Sequence, residues 1–180
     1  MNIDDALKAA AESGDKPKYS LRSVDSIEED VRQALLKMLE RGSKPSSAIR
    51  AALLAKEHPV EIVDQLIARF QEVGLIDDFA LAKDLAERLF LRKSQAKKMI
   101  AMALREKGFS SEAIEYAIAD LDSDAELESA KALAASRISR MADLDNDARS
   151  RKLAGFLSRK GYSSTVVWAA IKYASDQRSA

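Results

Sequence analysis

The chain has 180 residues, with 29 Lys and Arg against 29 Asp and Glu, no cysteine and a single histidine. The lack of cysteine excludes disulfides, thiol nucleophiles and cysteine-ligated zinc or iron–sulfur centres, and one histidine excludes a multi-histidine metal site. A net charge of zero excludes only a protein that is basic all over, because the balance is local: residues 125–180 hold ten Lys and Arg against six Asp and Glu, whereas 1–25, 26–76 and 77–124 come to −1, −1 and −2.

Aliphatic, helix-favouring residues dominate, with only 3 Pro and 6 Gly and no strand-type alternation, so the fold is expected to be all-α. Residues 1–25 mix Asp, Lys, Ser, Gly14 and Pro17 without a sustained period and read as a mobile tail with a short helix over 3–11. That stretch lacks a basic segment followed by an apolar one, and no run approaches a membrane span, so a cytoplasmic, membrane-free protein is expected. Ser26-Ile-Glu-Glu29 reads as a capping box that starts the first helix, which buries Val31, Leu35, Met38 and Leu39 and stops at Gly42. Lys44-Pro45-Ser46 opens a second helix with Ile49, Ala52 and Leu53 inward. A third runs from Pro59, at its first position, to about Val73.

Gly74-Leu75-Ile76-Asp77-Asp78 then closes one block and opens another. Gly74 suits a helix C′ position, Leu75 and Ile76 pack over the joint, and Asp77 or Asp78 caps the next helix. Further helices are expected near 78–92, 95–107 and 111–121. Ser123-Asp-Ala-Glu126 reads as a second capping box, followed by helices near 125–140, 146–160 and 164–175.

The phrase Lys107-Gly108-Phe109-Ser110-Ser111 returns at offset 53 as Lys160-Gly161-Tyr162-Ser163-Ser164, with Leu104 matched by Leu157 and Ile114 by Val167. In this reading Gly108 and Gly161 end helices in left-handed conformations, Ser110 or Ser111 caps the helix that follows, and Phe109 and Tyr162 pack under the cap. An eroded copy lies at offset 51 upstream, where Leu53, Lys56 and Val63 fall in register and Glu57-His58-Pro59 replaces Gly-Phe-Ser. Three copies at a period near fifty residues make a helical repeat protein: a tail over 1–25, then three-helix repeats over 26–76, 77–124 and 125–180. Such blocks bury their apolar faces by stacking, which gives an elongated, curved array.

On Gly74–Asp78, Leu104–Ile114 and Arg159-Lys160-Gly161-Tyr162-Ser163, taken in that order and spacing, the chain resembles the RecX family over roughly 26–176. The resemblance implies three tandem three-helix repeats in a crescent, binding along the groove of the RecA–DNA filament, and suppression of recombinase and ATPase activity. Two departures bear on local loop geometry. Glu57-His58 stands where the later repeats carry glycine and an aromatic, and Lys93-Ser94-Gln95 lacks the glycine usual before the second helix of the middle repeat.

No constellation points to catalysis, a metal or a cofactor. Asp143-Leu-Asp-Asn-Asp147 fails as a calcium loop, which needs glycine where Ala148 stands and glutamate where Ala154 stands; it reads as a polar turn with a cap near Asn146. Adjacent Asp77 and Asp78 do not face one substrate, and the repeated serines have no histidine that repeats with them. His58 reads as a solvated or capping histidine before Pro59. Trp168, one residue past Val167 and off the centre of its stripe, reads as partly buried.

Basic residues are the better lead. Between 88 and 107 stand Arg88, Arg92, Lys93, Lys97, Lys98, Arg105 and Lys107 against Glu106 alone, and between 149 and 160 stand Arg149, Arg151, Lys152, Arg159 and Lys160 with no acid. At about 100° per residue, Lys97, Lys98 and Arg105 share one arc beside the apolar stripe, and Arg151, Lys152 and Arg159 share another. Lys98 and Arg151 are repeat-equivalent, as are Lys107 and Lys160, so stacking would align positive charge. These residues, Lys107 apart, are the candidate filament- or DNA-binding set of a non-enzymatic monomer, with single- or double-stranded DNA as a further partner. The competing functions are an independent helical nucleic-acid-binding module, a protein-only scaffold, and a solvated face without a partner.

Overall fold

The computed structural model describes residues 23–141 and 143–179, so the expected tail and its short helix lie outside the described residues apart from the last three positions. Among the described residues the chain is all-helical: α1 Val24–Glu40, α2 Ser46–Leu54, α3 Val60–Glu72, α4 Asp78–Lys93, α5 Lys97–Glu106, α6 Ser111–Ala119, α7 Ser123–Ile138, α8 Asn146–Arg159 and α9 Ser164–Ser179. They fall into two compact units that divide between Asp77 and Asp78.

Three apolar clusters form, one for each set of three helices. In the first unit Ile27, Val31, Leu35, Ile49, Leu53, Val63 and Leu66 are the centre. In the second unit Ala82, Ala86, Ile100, Leu104, Ile114 and Ala117 fill the α4–α6 block. Ala130, Ala134, Leu153, Leu157, Val167 and Ala170 fill the α7–α9 block. The small residues follow a physical need. In the α4–α6 and α7–α9 blocks the first and third helices pack most extensively, and buried alanines at i and i+4 on α4 and α7 let the backbones come near.

The helix ends carry the repeat most faithfully. Phe109 N–H donates to the Leu104 carbonyl at 3.2 Å and Gly108 N–H to Arg105 at 3.0 Å. Tyr162 N–H donates to Leu157 at 3.3 Å and Gly161 N–H to Ser158 at 2.9 Å. Both glycines have φ +90°, the left-handed C-cap geometry that tightens the last turn and satisfies orphan carbonyls. Phe109 and Tyr162 are buried beneath those caps. The eroded copy keeps the same bonds without glycine: His58 N–H donates to Leu53 at 3.4 Å and Glu57 N–H to Leu54 at 2.8 Å, and Glu57 itself sits at φ +63°. Ser94, before α5, likewise has a positive φ, +46°. An L-residue in this region costs about 1 kcal/mol. Glu57→Gly is therefore expected to raise the stability of the first unit by up to about 1 kcal/mol, read as a higher urea midpoint at constant slope.

Helix starts differ from the sequence reading by one to three residues. Ser23, not Ser26, caps α1 by accepting from Ser26 N–H, because Val24 adds a partly buried contact to the first cluster and carries the helix back. Asp122, not Ser123, caps α7, and Asp145, not Asn146, caps α8 by accepting from Ala148 N–H at 2.7 Å. In both of these a carboxylate one residue earlier outcompetes the neighbour for the free amides at the positive helix end. Pro59 is the cap residue of α3 instead of its first residue. Ile76 is buried as expected, whereas Leu75 is largely exposed. Trp168 is also a correction: it is 59% exposed, because Val167, Ala170, Ile171 and Ala174 complete the inward stripe of α9 and leave it on the flank.

The two blocks of the second unit interlock at the third-block cap. Ala96 N–H, at the start of α5, donates to the Lys160 carbonyl at 3.0 Å, and Ala96 is itself part of the α7–α9 core. Tyr162 donates its hydroxyl to the Ser94 carbonyl at 2.9 Å and lies 3.2 Å from Ser129 Oγ. Burial, opposed by the Ser129 contact, raises the pKa of this phenol. Gly161 packs directly on Met99. Phe109 has no hydroxyl to make the equivalent bond, so the joint is specific to the third copy.

Candidate nucleic-acid interface

The basic residues of the second unit divide by what their charges already do. Arg88 is spent locally, its guanidinium 2.7 Å from Asp84 on the same helix. Lys97 is half-buried and donates to Ser123 Oγ at 3.2 Å. Arg149 serves the connection before α8: it donates to the Met141 carbonyl at 3.3 Å, to Asn146 Oδ1 at 3.0 Å and to the Leu144 carbonyl. Lys160 donates through Nζ to the Lys93 carbonyl at 2.6 Å, which reinforces the joint between the two blocks.

Arg92, Lys93, Lys98, Arg105 and Lys107 are exposed. Arg92 and Lys93 occupy the last turn of α4, and Arg105 that of α5, where positive charge complements the helix dipole. Of the expected set, only Arg151, Lys152 and Arg159 are brought to a common hollow, and there they meet two residues that the basic run over 149–160 does not include. These are Arg137, in the last turn of α7, and Arg140 just beyond it. Only the pair of arginines three apart in Arg137-Ile-Ser-Arg140 marks them in the sequence.

Several bases elsewhere are matched with acids. Arg50 meets Asp64 at 2.6 Å and Arg69 meets Glu28 at 3.0 Å, while Arg32 pairs with Glu29. Lys83 meets Asp120 at 2.7 Å, and this hydrogen-bonded pairing raises the lysine pKa and lowers that of the aspartate. Exposed pairs of this kind add at most about 1 kcal/mol each, but they neutralise the local field. Among the described residues, none of Arg137, Arg140, Arg151, Lys152 and Arg159 has an acidic partner within ion-pair distance. The surface of the α7–α9 block therefore presents an unneutralised positive patch, the chemistry that attracts phosphates or an acidic protein face.

No group of three or more potential metal ligands occurs among the described residues. Asp145 is committed to capping α8. Among the described residues, no helix is long and apolar enough to cross a membrane.

Comparison with known proteins gives these features a family context. A family profile described as the third three-helix domain of RecX matches residues 124–171. The Regulatory protein RecX of Streptomyces coelicolor is 33% identical over 167 residues, covering 93% of this chain and 85% of that protein. That of Mycobacterium ulcerans is 31% identical over 145 residues, covering 80% of this chain and 84% of the relative. The crystal structure of RecX from Lactobacillus salivarius superposes with a TM-score of 0.79 at 17% identity, over 84% of this chain and 99% of that one. A second RecX crystal structure gives 0.70 at 23% identity, over 92% and 78%. At these identities the structural matches speak for the fold.

Proposed function

The chain belongs to the RecX family, and from that premise we propose that it is a non-enzymatic regulator that binds the RecA–DNA filament and lowers recombinase and ATPase activity. The observation that carries this reading is the hollow of the α7–α9 block, which gathers Arg137, Arg140, Arg151, Lys152 and Arg159, none of them paired with an acid among the described residues. A filament offers a repeating polyanion, and a repeat-built protein offers several weak contacts that sum over its length. Affinity then arises from electrostatics spread over many residues, without a nucleophile, an acid–base pair or a bound group.

Phosphate contacts of this kind position a protein without reading bases. In agreement, the exposed side chains of α6, among them Glu112, Glu115 and Tyr116, include no Arg, Asn or Gln suited to base edges. This weighs against an independent sequence-reading module.

The corresponding experiment is charge reversal at Lys97, Lys98 and Arg151. The Lys97→Glu, Lys98→Glu, Arg151→Glu variant should bind RecA filaments and bare DNA more weakly, by a similar factor for different DNA sequences. Its log-affinity against log-salt slope should flatten by about 0.7 for each single-strand phosphate that is no longer neutralised. An unchanged slope in a variant with full helix content would mean that Lys98 and Arg151 are merely solvated and that Lys97 serves only its bond to Ser123.

A further inference from the structure

The hollow that gathers Arg137, Arg140, Arg151, Lys152 and Arg159 has a volume of about 590 Å³ and lies between the end of α7 and the middle of α8. Asp143 is the one acidic residue on its wall. Five guanidinium or ammonium groups around one concavity repel each other, and dipole complementarity at the ends of α7 and α8 explains Arg137, Arg140 and Arg159 but not Arg151 and Lys152 in the body of α8. Two further features show how the hollow is built.

Arg137 is fixed from beneath. Its guanidinium carbon stands 4.1 Å from the centroid of the Phe156 ring, a stacking distance that immobilises the plane and leaves the N–H edge open for an oxyanion. A preorganised guanidinium loses less freedom when it binds than a solvated one does.

Gly155 supplies the second feature. It lies inside α8, where glycine costs about 1 kcal/mol relative to alanine, and it does not have the positive φ that would require glycine. It lines the hollow, and a Cβ there would stand 3.4 Å from Arg159 Nη1. The missing side chain leaves the floor of the hollow at the level of the backbone: an alanine methyl would meet the Arg159 guanidinium at ordinary contact distance, and a longer side chain would project into the hollow.

We propose that this hollow is a phosphate site, taking one backbone phosphodiester of a single DNA strand between Arg137 and Arg140 on one side and Arg151, Lys152 and Arg159 on the other. It rests on the filament-binding reading for the presence of a strand, and it names the place on the chain where that strand is held. Guanidinium forks hold a phosphate through paired N–H···O bonds, and several around one anion fix its position as well as its charge.

The test uses the full chain and a fluorescently labelled oligothymidylate, with anisotropy read over a series of salt concentrations. Gly155→Met fills the hollow without changing charge and improves the helix propensity of α8, so it should fold at least as well as the wild type. It is expected to weaken oligonucleotide binding about tenfold, the effect of removing one charge-assisted hydrogen bond. Arg140→Gln should weaken binding similarly and flatten the salt slope, whereas Gly155→Ala should stay close to wild type. Inorganic phosphate titrated at constant ionic strength separates the sources: a strand site yields the oligonucleotide only at high phosphate. Ready displacement by free phosphate would overturn the strand assignment in favour of a small-anion site.

Wild-type affinity and slope in both Gly155→Met and Arg140→Gln would overturn the proposal, as would a wild-type chain that does not bind the oligonucleotide. The assay contains no RecA, so the two readings fail separately. Filament inhibition by a chain whose DNA binding ignores the hollow would leave the regulatory reading intact. Hollow-dependent DNA binding without inhibition would do the reverse.

Discussion

Gly161→Ala should destabilise the second unit by about 2–3 kcal/mol, well beyond the cost of about 1 kcal/mol that Gly74→Ala should bring to the first unit. Gly161 and Gly74 both follow helix ends at positive φ, +90° and +73°, so both substitutions carry the left-handed penalty of an L-residue. The difference comes from what surrounds them: nothing lies within 4 Å of a Cβ on Gly74. A Cβ on Gly161 would run into the Met99 side chain and stand 3.1 Å from the Met99 backbone nitrogen, at the beginning of α5. The methionine side chain can rearrange, but the backbone is held by the bond from Ala96 N–H to the Lys160 carbonyl. Relief therefore requires loosening the joint, with Tyr162 and Ser94 part of the same contact. Urea denaturation followed by circular dichroism compares the two variants. Equal destabilisation at both sites would show that the α7–α9 cap does not press on α5 in solution.

A chain ending at Asp124 should inhibit RecA more than about tenfold more weakly than the full chain, through two separable effects. It lacks a segment with an excess of four positive charges, including every wall residue of the basic hollow. It also uncovers Ala96 and removes the carbonyl that Ala96 N–H bonds, so α5 starts without its support. Helix content must therefore be measured first. A truncated chain that keeps α4–α6 helical and still inhibits like the full chain would remove the third repeat from the interface.

Much of what these two outcomes depend on can be read from the sequence alone. The helices are legible because apolar residues recur at helical spacing, and the caps because Leu104–Ile114 is repeated at Leu157–Val167. The left-handed turn at Glu57 is the obscure copy. Only alignment with Gly108 points to it, since glutamate has no preference for that conformation. Helix starts are blurred where two capping residues adjoin, as in Asp122-Ser123 and Asp145-Asn146, because either can satisfy the same free amides. Trp168 is misplaced by a reading that follows residue type, which favours burial, although the stripe Val167, Ala170, Ile171 and Ala174 is already complete without it.

The candidate interface is less legible, for a tertiary reason. Spacing on α8 joins Arg151, Lys152 and Arg159, but nothing local announces that the end of α7 and the connection after it carry Arg137 and Arg140 to the same hollow. Nor does spacing reveal consumption. Arg149 and Lys160 look as available as their neighbours until the carbonyls that they bind are seen. Charge patterning locates a face; only packing decides which charges remain for a partner.

The most direct measurement of the central claim is ATP hydrolysis by the cognate RecA on single-stranded DNA, with the full-length chain titrated in. The account predicts that hydrolysis falls as the chain reaches micromolar concentration, and that the Lys97→Glu, Lys98→Glu, Arg151→Glu variant needs a markedly higher concentration for the same effect. A hydrolysis rate untouched by the wild-type chain across that range would contradict it.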